Sequence, residues 1–107
     1  MRGFQITFFT QQDRRHEGKP LGEWLIQLAK QLGLRGATLL PAAEGFGASG
    51  RIHSAHFFDL ADQPIEVMMM VTEEQTAPLF ERLQSAGLRL FYVKTPVEFG
   101  RVGEDRG

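Results

Sequence analysis

Cysteine is absent from the 107 residues, which excludes disulfides, thiolate metal sites and a cysteine nucleophile, and fits a reducing compartment. An excess of charge of either sign is also lacking, because 12 Lys and Arg stand against 13 Asp and Glu for a formal net charge of −1. A protein that holds nucleic acid through its phosphates needs a basic surplus, so no nucleic-acid partner is expected. Nor is there a long hydrophobic run. Met1-Arg2-Gly3-Phe4 leads straight into an alternating pattern, without the apolar stretch of a signal peptide or a bilayer span. The expectation is a cytoplasmic protein with no membrane insertion. Repeats and low-complexity blocks are missing too, so one domain is expected over residues 1–107, ending in a tail over 97–107.

What is present is enough apolar material for a small core: 42% hydrophobic residues, with nine Phe. A domain of this size buries only roughly 65% of the surface of its unfolded chain, so that core is modest. Phe4, Ile6 and Phe8 alternate with Gln5, Thr7 and Phe9, which predicts a first strand. The polar stretch 11–19 reads as a loop. Pro20 is expected in a first helical turn, ahead of Leu21, Trp24, Leu25, Leu28, Ala29 and Leu32, whose spacing makes one buried helical stripe. Gly33 and Gly36 end that helix, and Ala37 to Leu40 reads as a second strand.

Regular patterning then stops. Residues 44–56 read as an extended glycine-rich loop, Phe57 to Leu60 as its returning arm, Asp62-Gln63-Pro64 as a turn and Ile65 to Val71 as a third strand. A second helix lies within Thr72 to Ala86, with Ala77, Phe80 and Leu83 on its packed side. Two starts compete for it. Thr72 with Gln75 makes a capping box but leaves Pro78 inside the helix, whereas Thr76 as cap puts Pro78 in the first turn; the late start is the expectation. Glu73 and Glu74 read as a solvated helix start, favourable to the helix dipole. Gly87 closes the helix and Leu88 to Thr95 is read as a fourth strand.

The order β-α-β-β-α-β is that of a ferredoxin-like α+β fold, an antiparallel four-stranded sheet with both helices on one face and a long loop after strand two. The other sheet face should then be polar, yet Phe9, Met68, Met70, Phe91 and Val93 fall on it. They predict a second buried surface, and self-association is the simplest way to bury it. Trp24 and the run Met68-Met69-Met70 read as core and interface rather than as a cofactor site.

Three stretches carry a family resemblance: Gly18-Lys19-Pro20-Leu21, then Leu34-Arg35-Gly36-Ala37-Thr38-Leu39, then the run from Glu44 through Gly45-Phe46-Gly47-Ala48-Ser49-Gly50-Arg51-Ile52-His53 to Ala55. Together they resemble the PII-like uncharacterised family known as domain of unknown function 190, over nearly the whole chain. The resemblance implies a ferredoxin-like homotrimer, related in shape to PII signalling proteins, with a long loop that reaches partner proteins. It also implies small ligands, often nucleotides, in clefts between subunits. The chain departs from the pattern at Pro41-Ala42-Ala43, at Thr72 and at Thr10-Gln11-Gln12-Asp13, which leaves the ligand's identity open.

The residues of the long loop suit an anion. Gly45, Gly47 and Gly50 permit positive φ and let backbone N–H groups converge, while Ser49, Arg51 and Lys19 add donors and charge. A plainer account makes Arg51 the partner of a surface carboxylate and Lys19 a solvated charge before a helix. His53 is expected to hold the loop by a hydrogen bond. His53 and His56 could share a metal ion with Asp59 or a residue from another subunit as third ligand, but no fuller set is evident and no metal is expected. Ser49 or Ser54 beside a histidine lacks a nucleophile elbow, so no catalytic residue is assigned. The resulting expectation is a PII-like signalling protein, not an enzyme, that binds a phosphate-bearing or other small anion, a nucleotide among the candidates, and engages a partner protein. The alternative is a ligand-free interaction module, with a metal-binding trimer ranked behind both.

Overall fold

The computed structural model describes residues 1–42, 44–46, 52–54 and 63–103. Along the chain these form β1 (Arg2–Gln11), β2 (Arg15–His16), β3 (Lys19–Pro20), α1 (Leu21–Gln31), β4 (Gly36–Pro41), β5 (Glu44–Phe46), β6 (Ile52–Ser54), β7 (Pro64–Thr72), α2 (Glu73–Ser85) and β8 (Phe91–Glu98). The main sheet runs β4-β7-β1-β8, with every neighbouring pair antiparallel. That is the ferredoxin-like arrangement the sequence predicts.

Register follows from side-chain alternation. Phe4 faces Val71, Ile6 faces Met69 and Phe8 faces Val67, so one face of the two central strands is continuously apolar. Both helices cover that face. Leu21, Leu25, Leu28 and Ala29 of α1 join Leu79 and Leu83 of α2 in a single buried cluster with Ile6, Phe8, Ile65, Val67, Met69 and Val71. Two glycines sit at close approaches, one between helix and sheet and one between neighbouring strands. A Cβ on Gly22 would stand 2.8 Å from Leu39 Cδ1, so a side chain there would require the Leu39 side chain to shift. A Cβ on Gly3 would meet the backbone oxygen of Val71 at 2.0 Å, well inside van der Waals contact.

Several elements depart from their sequence-based expectations, each for a physical reason. The second helix begins early, at Glu73, and Pro78 lies inside it. The capping box prevails: Gln75 N–H donates to Thr72 Oγ1 at 3.3 Å, and Thr72 N–H donates to Gln75 Oε1 at 3.0 Å. Two satisfied terminal donors and an additional bond from Thr76 Oγ1 to the Thr72 carbonyl, 3.0 Å, outweigh one missing bond at an exposed proline. The buried stripe of α2 is Leu79 and Leu83, with Phe80 partly buried and Ala77 exposed.

The expected loop over 11–19 contains the tail of β1 and the β2–β3 hairpin, in which Arg15 pairs with Pro20 and His16 with Lys19. Pro20 is the residue before the helix, with φ −56° and ψ 136°, and not part of its first turn. The chain reaches α1 through a backbone bond from Leu21 N–H to the Arg14 carbonyl at 2.8 Å. The last strand starts at Phe91 and runs to Glu98, so residues 97 and 98 are strand rather than tail. Leu88 and Leu90 precede it and pack against the core. Gly33 and Gly87 end the helices with φ of 67° and 70°, in the left-handed cap that glycine favours.

Candidate functional site

The long connection between β4 and β7 leaves the sheet through a narrow neck. Ala42 N–H donates to the Pro64 carbonyl at 2.8 Å, and Gln12 N–H donates to the Gln63 carbonyl at 2.9 Å. The ends of β4, β7 and β1 are thereby fastened together. Beyond the neck the sequence predicts an unpatterned loop, whereas the structure forms a two-stranded ribbon: Glu44 faces Ser54, Gly45 faces His53 and Phe46 faces Ile52. Main-chain pairing across so short a span carries little sequence signal, which is why the glycine-rich composition concealed it.

The sequence-predicted ligand residues fall into three groups. Gly45 and His53 are brought opposite each other on the ribbon. Gly47, Ser49, Gly50 and Arg51 lie outside the described residues, as do His56 and Asp59. Lys19 sits on β3, and its ammonium donates to Gln27 Oε1 on α1 at 2.6 Å, so its charge is directed along the helix. Among the described residues no three His, Asp or Glu side chains cluster as a metal site.

Beside the neck, the start of α1 leaves a recess of about 70 Å³ lined by Gln11, Gln12, Gly22 and Glu23, with Leu39 and Ile65 as its apolar wall. At the opposite end of the sheet, a wider depression of about 360 Å³ opens between Arg2, Phe4, Glu73, Pro96 and Glu98. Lys94 covers the Phe4 ring there, 4.5 Å from its centroid.

The second candidate surface is the sheet face turned away from the helices. Register places Leu40 and Thr38 of β4, Met68 and Met70 of β7, Phe9 and Thr7 of β1, and Phe91 and Val93 of β8 on it. Phe91 is 70% exposed, Val93 46% and Leu40 42%. Phe9 and Phe91 lie ring against ring, 5.6 Å between centroids. Met69, by contrast, is fully buried on the helix side, so the three consecutive methionines serve opposite faces.

Sequence reasoning missed one cluster. His16, Glu17 and Trp24 come together where the β2–β3 hairpin packs on α1: Trp24 Nε1 donates to Glu17 Oε2 at 3.2 Å, and the His16 and Trp24 rings meet edge-on at 4.6 Å. The available signal was Glu17-Gly18 between short polar segments, a two-residue turn whose first position is not one of the usual turn formers.

The family model DUF190, described as Uncharacterized ACR, COG1993, matches residues 3–98. A curated relative, the UPF0166 protein of Aquifex aeolicus (strain VF5), is 33% identical over 75 residues, covering 70% of this chain and 71% of the relative. Among solved structures, the nitrogen regulatory PII-like protein CPII of Thiomonas intermedia K12, bound to ADP, AMP and bicarbonate, superposes with a TM-score of 0.69 at 20% identity, over 94% of this chain and 91% of that one. A putative PII-like signaling protein of Thermus thermophilus gives 0.67 at 22% identity, over 91% and 88%. CutA1 of Oryza sativa gives 0.62 at 10% identity, over 95% and 85%. At these identities the structural likeness establishes the fold.

Proposed function

The chain belongs to the DUF190 family, and from that premise we propose that it is a PII-like regulatory protein: a cytoplasmic homotrimer that binds a small anionic ligand, foremost a nucleotide, in clefts between subunits. The connection between β4 and β7 engages a partner protein and changes shape with ligand. No catalytic step is assigned to it.

The observation that carries this reading is the second apolar face. Both helices are spent on one side of the sheet, and the other side exposes Phe91 and Val93 on one edge strand and Leu40 on the other. Exposed apolar side chains on a sheet face that no helix covers mark a site of association. Copies of the same chain are the simplest cover, and their junction creates the clefts. The ligand class draws on the CPII structure, whose bound molecules are ADP, AMP and bicarbonate. On this chain the donors assigned to the ligand are the backbone N–H groups of Gly45, Gly47 and Gly50, the Ser49 hydroxyl, the Arg51 guanidinium and His53, with Lys19 as a second cation. The reading also accounts for the fastened neck, which holds the base of the connection in place.

Thermal melts of protein of measured mass, against ADP, AMP, cyclic nucleotides and bicarbonate, test it. A ligand at about 100 times its Kd stabilises by about 2.7 kcal/mol, a shift any melt resolves. The expected result is a saturable rise for one compound, abolished in Arg51→Ala with the trimer intact. A full response in Arg51→Ala would overturn the site. A flat panel from an intact trimer would instead favour a docking arm that needs no ligand.

A further inference from the structure

The turn of the β2–β3 hairpin is made by Glu17 and Gly18, with φ of 52° and 80°, the two positive values of a two-residue hairpin connection. Glycine adopts that conformation freely, but glutamate does so at a cost that asparagine would reduce. The carboxylate accounts for glutamate being there. Its Oε2 accepts the Trp24 indole N–H at 3.2 Å, and its Oε1 stands 3.7 Å from His16 Nε2.

That nitrogen is shut off from solvent and has no hydrogen-bond partner. At 3.7 Å the carboxylate is within ion-pair range but beyond hydrogen-bond reach. A buried ring nitrogen left unpaired beside a carboxylate is an interaction that one proton would complete, and histidine is the side chain that gains a proton within the neutral range. The neighbouring charges are directed elsewhere. Lys19, across from His16 in the hairpin, holds Gln27 on α1. Arg14 and Arg15 donate to the carbonyls of Arg89 and Gly18, each at 2.6 Å. From α1, the uncharged Trp24 and Gln27 meet His16 and Lys19, while Glu23 lines the recess beside Pro20. Among the described residues, Glu17 is the acidic group within ion-pair range of His16.

We propose that the hairpin is a proton-sensitive latch, in which a proton on His16 Nε2 draws the Glu17 carboxylate in and clamps the hairpin over Trp24 on α1. The proton bonds to the ring nitrogen, and the resulting N–H donates to Oε1 while Oε2 keeps the indole. Nε2 is then paired by a charge-assisted bond within the hairpin, which fixes in place the carboxylate that accepts the Trp24 indole N–H. Loss of the proton as pH rises returns the carboxylate to the indole alone and loosens the hairpin. The latch is therefore closed on the acid side of the histidine transition and open on the alkaline side.

Trp24 is the single tryptophan in the chain, so its fluorescence reports this contact without interference. Acrylamide quenching of the intact protein is measured near pH 5 and near pH 8, conditions about either side of the histidine range, for the wild type, His16→Gln and Glu17→Gln. Circular dichroism at both pH values verifies folding. The expected result is a lower quenching constant at acid pH in the wild type and equal constants at the two pH values in both variants. Glu17→Gln keeps the imidazole beside the indole, so it separates closure of the latch from direct quenching by a charged ring. Equal wild-type constants at the two pH values overturn the latch whether or not a variant folds. A pH response undiminished in Glu17→Gln overturns it as well.

Discussion

Phe91 gives the sharpest test of the proposed trimer. A phenylalanine side chain buries about 150–250 Å² when fully covered, and Phe91 is 70% exposed. About 140 Å² of it is therefore available for burial, worth about 3.5 kcal/mol at ~25 cal/mol per Å². Alanine retains part of that contact, so Phe91→Ala should cost about 2–3 kcal/mol per subunit and about 6–9 kcal/mol per trimer. At ~1.4 kcal/mol for each factor of ten, the three-body dissociation constant rises by about four to six decades. The midpoint concentration varies as the square root of that constant, so it moves up roughly 100- to 1,000-fold. Sedimentation velocity across a dilution series measures it directly. Tyr92→Ala is the control, because Tyr92 lies on the opposite face against Phe80, with 5.0 Å between ring centroids. It should lower the melting temperature of the subunit without moving the assembly midpoint. A Phe91→Ala protein that assembles at the wild-type concentration would refute the placement of the interface, and a wild type that stays monomeric throughout the series would refute the assembly.

Gly3→Ala should destabilise the fold by about 2 kcal/mol or more, because the clash is with the Val71 backbone oxygen and not with a side chain that could turn aside; a urea titration with unchanged slope and an unchanged midpoint would contradict it. Thr72→Ala removes the hydroxyl half of the capping box and should cost about 1 kcal/mol, read from the same titration. Pro78→Ala should stabilise by about 1 kcal/mol, since restoring a helical N–H at this exposed position outweighs the added freedom of the unfolded chain; a lower melting temperature would show that the early turns of α2 are already accommodated to proline. Leu79→Ala, at a fully buried position, should cost about 2–5 kcal/mol, and a chemical-denaturation difference under 1 kcal/mol, roughly the level of a surface change, would show that the core is not where the burial pattern places it.

Where one physical signal dominated, the sequence was legible. The alternation of Phe4, Ile6 and Phe8 and the stripe from Leu21 to Ala29 report burial directly, and burial decides both elements. The surplus of apolar residues on the second sheet face was legible from the same alternation. Where two signals of similar strength competed, the reading failed. At α2, Pro78 argued for a late start and Thr72-Gln75 for an early one, and propensity alone could not weigh a lost bond against two gained. At Leu88 and Leu90 the alternation was real but served a different end, since both side chains pack against the core before β8 begins. The hairpin was hidden because its stabilising contacts, from Trp24 and Gln27, come from a neighbouring helix. Of the candidate ligand groups, composition identified the glycines, but the ribbon that sets Gly45 opposite His53 is a product of main-chain pairing.

The fastened neck between β4 and β7 also bears on how such a chain can diversify. With Ala42 bonded to Pro64 and Gln12 to Gln63, the sheet does not register how long the intervening stretch is. Doubling a flexible connection costs only about 0.6 kcal/mol in closure entropy. Insertions beyond the neck thus cost little in closure entropy, while each of them alters what the connection can present. A single scaffold of this kind can acquire new ligands and new partners by remodelling one segment, with the core under no pressure to follow.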